Sequence, residues 1–156
     1  MMKRVILIFL ILLNLGTIFF FSHQDSKASG RLSSNLTSQL EVHTPHYAEK
    51  NQAQQKVVHT QVQYAVRGLA HGCLFFVLGI LFTLFWRTFP HKLLLLFGKN
   101  MFLGVLIALS DEIHQIFVPG RTFGWDDIWY DSLGFFLGMC AIMVGNIIHK
   151  KRTGKQ

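Results

Sequence analysis

A chain of 156 residues with 51% hydrophobic side chains has room for one domain. Its apolar residues come in long unbroken blocks, which excludes an ordinary soluble helical domain, and the alternating segments of about ten residues that a membrane β-barrel needs are missing. The net charge of +7 does not point to nucleic acid, because the charges are segregated by position along the chain.

Four blocks approach or exceed the roughly 18–20 residues a helix needs to cross a bilayer core: residues 5–21, 68–86, 101–118 and 128–148. The expected fold class is therefore all-α, a polytopic membrane protein with a bundle of four transmembrane helices in a single domain spanning residues 1–156. The start, Met1-Met2-Lys3-Arg4 and an apolar run, also fits a secretory signal with Ser26-Lys27-Ala28 as a cleavage site. The length of the run and its bulky end, Phe19-Phe20-Phe21, favour an uncleaved anchor.

Residues 22–66 form a long polar connection. The part from 22 to 44 is expected to be irregular, with Pro45 as punctuation, whereas 47–66 contains no Gly or Pro and suits a helix running directly into the second span. Residues 87–92 read as a short turn. Residues 93–98 fit either an interfacial segment or the start of the third span. Pro119-Gly120 ends that span, and 121–125 forms a short loop before the fourth.

Nine of the 15 basic residues, Lys3, Arg4, Arg87, Lys92, Lys99, Lys150, Lys151, Arg152 and Lys155, fall on one side of the four blocks, with no acidic residue among them. All eight acidic residues, Asp25, Glu41, Glu49, Asp111, Glu112, Asp126, Asp127 and Asp131, fall toward the other. This is the positive-inside pattern, and it predicts that both the N-terminus and the C-terminus are cytoplasmic and that residues 22–66 lie outside.

Within the blocks, Gly68 with Gly72 and Gly134 with Gly138 have the spacing of close helix contacts. Asn14 is expected to make an interhelical hydrogen bond. Cys73 and Cys140 lack Cys-x-x-Cys spacing and are expected to fill helix interfaces.

The ionisable and polar residues of the blocks cluster at the outer level. The second block starts with Arg67 and His71, four apart and so on one face. The third carries Asp111, Glu112, His114 and Gln115. The loop brings Arg121, the fourth block opens with Asp126, Asp127 and Asp131, and the first ends in Ser22, His23 and Gln24. A charge at the bilayer centre costs about 2.5–3.5 kcal/mol on insertion scales, so such a set is expected to face the bundle interior and pair. A salt-bridge lattice that only locks the helices is one outcome. A site is the other, since the carboxylates and histidines exceed what locking requires. In a site, Glu112, Asp111, His71 and Asp127 are the candidates for acid–base catalysis. Arg67 and Arg121, with Gln115, His114 and Asp131, are the candidate ligand-binding residues, the guanidinium forks suiting a phosphate or carboxylate. Asp111-Glu112-Ile113-His114-Gln115 lacks the paired histidines of a His-Glu-x-x-His zinc helix. Zinc would have to recruit His71, His114 and a carboxylate from different helices, so no metal and no cofactor is expected.

These residues resemble the signature of the VanZ-like family of bacterial membrane proteins. The resemblance is carried by Asp111-Glu112-Ile113-His114-Gln115-Ile116-Phe117-Val118-Pro119-Gly120-Arg121, then Asp127 and Asp131-Ser132-Leu133-Gly134. Arg67-Gly68-Leu69-Ala70-His71 and Phe21-Ser22-His23-Gln24 add to it, and many members have Asn where this chain has Asp131. The resemblance implies a multi-pass protein of the bacterial cytoplasmic membrane, associated with teicoplanin resistance. On that basis the expected function is to modulate susceptibility to cell-wall-directed glycopeptides, through an outward-facing polar site for an anionic envelope component. The expected partner is a membrane lipid or a lipid-linked cell-wall precursor, not nucleic acid. An intramembrane acid–base hydrolase or transferase acting on a lipid-linked phosphate is the alternative, and a scaffold without a site of its own is the other.

Overall fold

The computed structural model describes residues 1–44, 46–90 and 93–153. Among them the chain is entirely helical, with five α-helices and one short 3-10 turn: α1 (Met2–Ser22), α2 (Ser26–Glu41), the turn at Tyr47–Glu49, α3 (Gln52–Trp86), α4 (Leu93–Gln115) and α5 (Trp125–Thr153). The residues of the sequence that interrupt helices, Pro90 and the Pro119-Gly120 pair, all fall between these elements. Pro45, His91, Lys92 and residues 154–156, which the sequence assigned to punctuation, a turn and the C-terminus, lie outside the described residues.

Three helices are long and apolar enough to cross a membrane: Met2–Ser22, Gln52–Trp86 and, within α5, Trp125–Asn146. α4 is not among them in the described residues. The surfaces agree with the lengths. Only Ile11, Ile18 and Ser22 are buried in the whole of α1, and Leu12, Phe20, Phe102 and Leu137 stand exposed on three different helices. An apolar exposed face of that extent is not a surface for water.

α3 is the spine, with α1, α4 and α5 packed on it. Its 35 residues measure roughly 52 Å at 1.5 Å per residue, well beyond the roughly 30 Å of a bilayer core. The excess is the polar stretch after Asn51, whose side chain accepts the Gln54 N–H at 2.9 Å while Gln54 Oε1 accepts the Asn51 N–H at 3.1 Å. That reciprocal cap fixes the start of the helix. The expected helix over 47–66 thus begins at Gln52, and it does run without a break into the second apolar block.

The expectation of irregular chain over 22–44 is overturned by α2. Leu36 and Leu40, one turn apart on α2, stay exposed, and among the described residues of this helix the buried one is Thr37. α2 folds back along the projecting part of α3, where Thr37 and Val58 are buried and His59 Nδ1 sits 2.7 Å from Glu41 Oε2.

Contacts at the two ends fix the helix directions. Arg4 donates to the Thr88 backbone carbonyl at 2.6 Å and to its hydroxyl at 3.0 Å, and lies over the Phe89 ring at 4.1 Å. The start of α1 therefore meets the end of α3. At the opposite end Ser22 meets Asp111, joining the last turns of α1 and α4. α1 and α4 run one way, α3 and α5 the other.

α3 and α5 make the closest approach. A methyl added at Gly134 would overlap the Gly72 carbonyl, one at Gly138 the Phe76 carbonyl, and one at Gly79 the Phe135 carbonyl. Without side chains at these positions the two backbones touch, which is how helices associate where no hydrophobic force between them exists. The expected packing role of Gly68, Gly72, Gly134 and Gly138 is what the structure shows. Beside this seam lies an apolar core of Ile11, Ile18, Phe75, Leu78, Ala108 and Phe135. Buried Asn100 donates to Thr83 at 3.4 Å, a polar tie between α4 and α3.

Three smaller expectations fail. Asn14 Oδ1 is buried with no hydrogen-bond partner, so the expected interhelical bond to it is not made. Cys73 is exposed and Cys140 only half-buried, because the glycine seam leaves no room for thiols between α3 and α5. The third apolar block, expected to be helical to 118, leaves the α-helix at Gln115. There the chain turns through Val118-Pro119-Gly120-Arg121, closed by the Arg121 N–H on the Val118 carbonyl at 3.1 Å. Gly120 sits at φ 75°, the left-handed conformation that the third residue of a type II turn requires and that glycine adopts without strain.

Candidate functional site

Helix periodicity decides which polar residues converge. Asp111, Glu112 and Gln115 fall on one side of the last turns of α4 and are all buried. Arg67 and His71 are one turn apart on α3, as are Asp127 and Asp131 on α5. The turn after α4 folds Arg121 back toward the same level. Ser22 and Gln24 close the level from α1.

The contacts form two connected strands. In the first, the Ser22 hydroxyl and Gln115 Nε2 donate to the same Asp111 oxygen at 2.7 and 2.9 Å. Gln115 Oε1 in turn accepts from Arg121 Nη1 at 3.3 Å, and Arg121 Nε donates to the Gln24 carbonyl at 3.2 Å. In the second strand, Arg67 pairs with Asp127 at 3.3 Å, and the Gly124 N–H donates to Glu112 Oε2 at 2.7 Å. Gly124 precedes α5 and Asp126 and Asp127 occupy its first turn, where the helix dipole favours carboxylates.

The set is not fully paired. Glu112 Oε1, Arg121 Nη2, His71 Nδ1 and both oxygens of Asp131 are buried without a hydrogen-bond partner. Unsatisfied buried groups of this kind cost about 1–3 kcal/mol each, more when charged. Arg121 lies on the loop outside the apolar blocks. Burial and then the neighbouring Arg67 lower its pKa from the ordinary guanidinium value, while Asp127, Asp111 and Glu112 oppose the shift.

Next to the pairs is a cavity of about 560 Å³, lined by Gln61, Tyr64 and Arg67 of α3, Thr122 of the loop, and Asp127 and Tyr130 of α5. Arg67 lies over the Tyr64 ring at 5.0 Å, so its guanidinium is held at the cavity wall by both an aromatic face and a carboxylate.

Of the residues singled out in the sequence, Arg67, His71, Asp111, Glu112, Gln115, Arg121, Asp127 and Asp131 are brought to this one level. His114 is not part of the paired set. It stacks on Phe19 with ring centroids 4.5 Å apart, and its Nε2 is 3.3 Å from His23 Nδ1. The residue sits three positions after Asp111, and the small angular difference turns it onto the outer side of α1. Sequence spacing missed two contributors: Gly124 acts through its backbone N–H and Tyr64 through its ring. Gln24, expected at this level, contributes its backbone carbonyl and not its side chain. Asp126 lines the cavity beside Asp127 without joining the buried pairs.

The apolar helices and the buried ionic level at one end define a helical membrane protein. The VanZ/LLP1 family model matches residues 7–148, nearly the whole chain, and the protein belongs to that family. No curated protein and no solved structure matches the chain.

Proposed function

We propose that the protein crosses the bacterial cytoplasmic membrane four times, with α4 as the fourth crossing and both termini in the cytoplasm. Three helices of spanning length, and the segregation of Lys3, Arg4, Arg87, Lys99 and Arg152 away from the carboxylate level, support this orientation. A reporter active only in the cytoplasm should work after Gln156 and fail in the stretch between α2 and the 3-10 turn. The reverse result would place the ionic level on the inner face.

In that frame the protein modulates susceptibility to glycopeptides by holding an anionic envelope component, such as a lipid-linked phosphate, at the outer level. The observation that carries the reading is Arg67, set in the wall of the 560 Å³ cavity with Tyr64 and Tyr130 beside it. The cavity sets a guanidinium and aromatic faces beside the Asp126 and Asp127 carboxylates, so a phosphate attached to an apolar chain would engage Arg67 in place of its pairing with Asp127. A second reading rests on Glu112, whose Oε1 is buried and unpaired. Such a carboxyl group is placed for acid–base work on the bound component. Purified protein incubated with a labelled lipid-linked precursor separates the two. Binding lost in Arg67→Ala without product supports the binding protein, turnover lost in Glu112→Gln supports the enzyme, and neither binding nor turnover leaves a scaffold.

A further inference from the structure

Three side chains from three helices meet beside the paired set. A ring nitrogen of His71 from α3 and one carboxylate oxygen each from Asp111 of α4 and Asp131 of α5 all lie within 4.8 Å of one another. We propose that His71, Asp111 and Asp131 hold a divalent transition-metal cation, zinc or manganese.

The geometry is close to that of a bound ion. Three ligands each about 2.1 Å from one metal at tetrahedral angles are about 3.4 Å apart. His71 Nδ1 and Asp111 Oδ2 are 3.9 Å apart and the whole set lies within 4.8 Å, so it closes on a cation with side-chain shifts of up to about 1 Å. All three residues are buried, Asp131 with only 1% of its surface exposed.

Asp131 is the independent observation. Neither of its oxygens has a hydrogen-bond partner, and neither has His71 Nδ1. A carboxylate so deep and so unsatisfied is explained by a ligand more readily than by packing, because an apolar residue would pack there at no cost. Asp111 Oδ2 accepts from both the Ser22 hydroxyl and Gln115 Nε2. These donors fix the orientation of the carboxylate, and a cation would take Oδ1 or replace one of them on Oδ2.

Charge points the same way. At this level the carboxyl groups of Asp111, Glu112, Asp127 and Asp131 outnumber the guanidinium groups of Arg67 and Arg121. A divalent cation would offset that excess. The donor set selects its kind: one imidazole with two carboxylates suits zinc or manganese, whereas calcium takes six or more oxygens. Three protein ligands leave coordination positions free for water or an anion. The cation does not require the lipid-linked ligand proposed above.

The test uses the full chain purified in detergent, stripped with a chelator and titrated with zinc and, separately, with manganese. One equivalent per chain is expected for at least one of the two metals. Binding should weaken about 100-fold or more in Asp131→Ala and in His71→Ala, and stay unchanged in His23→Ala and His59→Ala, which remove exposed imidazoles. Chelation should also lower the melting temperature of the unmodified protein, and the metal should restore it. Where the alanine variants fail to fold, X-ray absorption on the metal-loaded native chain decides. One nitrogen and carboxylate oxygens as ligands support the site, whereas two or more imidazoles overturn it. No saturable uptake of either metal, or uptake that survives Asp131→Ala, overturns it as well. Precursor binding measured on the stripped protein reports on the phosphate reading alone.

Discussion

The α3–α5 seam and the ionic level at one end of it are held together by opposite means. In the seam, Gly72, Gly79, Gly134 and Gly138 let backbone approach backbone, and a methyl added at Gly79, Gly134 or Gly138 would overlap a facing carbonyl. At the ionic level the same two helices, joined by α4 and the end of α1, bring charge into a buried space and leave five polar atoms of Glu112, Arg121, His71 and Asp131 unpaired. A region built for stability alone would resemble the seam. The unpaired atoms at the ionic level are the observation on which the proposed ligand site rests.

The seam should be the less tolerant of change. Gly138→Leu would drive a side chain into the Phe76 carbonyl, and a loss of about 3 kcal/mol or more is expected, with reduced accumulation of folded protein. Thermal unfolding in detergent measures it, with Gly145→Ala as the control, because nothing lies within 4 Å of that position. Equal behaviour of the two variants would remove the seam from its role.

A smaller loss is expected where the ionic level does serve the fold. Ser22→Ala removes one of the two donors to Asp111 and the tie of α1 to α4, which should lower stability by about 1–2 kcal/mol. No change in the melting curve would mean that the end of α1 is anchored by Arg121 and by the contacts of Phe19 and His23 with His114.

The smallest stability change is expected in Glu112→Gln and Arg121→Lys, and the largest functional one. Gln keeps an acceptor for the Gly124 N–H and removes a buried charge whose Oε1 is unpaired; Lys keeps the charge of Arg121 and loses its fork. Both should accumulate normally and lose the effect on glycopeptide susceptibility. If susceptibility followed melting temperature one-for-one across the pair, the ionic level would be a lattice like any other and the contrast with the seam would collapse.

How much of this was legible in the chain differs between the two regions. The glycine pairs at spacing four are readable as a seam, because the period of a helix alone puts them on one face. The ionic level is readable as a convergence for the same reason: Arg67 with His71 and Asp127 with Asp131 can only lie on single faces. Other features needed coordinates. α2 has a weak Leu32-Leu36-Leu40 pattern in a polar stretch, and its helix is stabilised by lying along α3, a contact no local propensity encodes. His114 shares the motif with Asp111 and Glu112, and only the rotation of α4 against α1 decides that it meets Phe19 and His23 instead.

By itself the sequence determined the apolar lengths, the side on which charge collects and the faces that small and ionisable residues share, because all three follow from composition and a period of 3.6. Partner choice was decided by the tertiary structure. That Ser22 reaches Asp111 across 89 positions, that a backbone N–H rather than a side chain holds Glu112, and that His71, Asp111 and Asp131 share one small volume all depend on how four helices are rotated and set in depth against each other. Rotation and depth are fixed by packing at the glycine seam, a cooperative property of the whole fold that no segment carries alone.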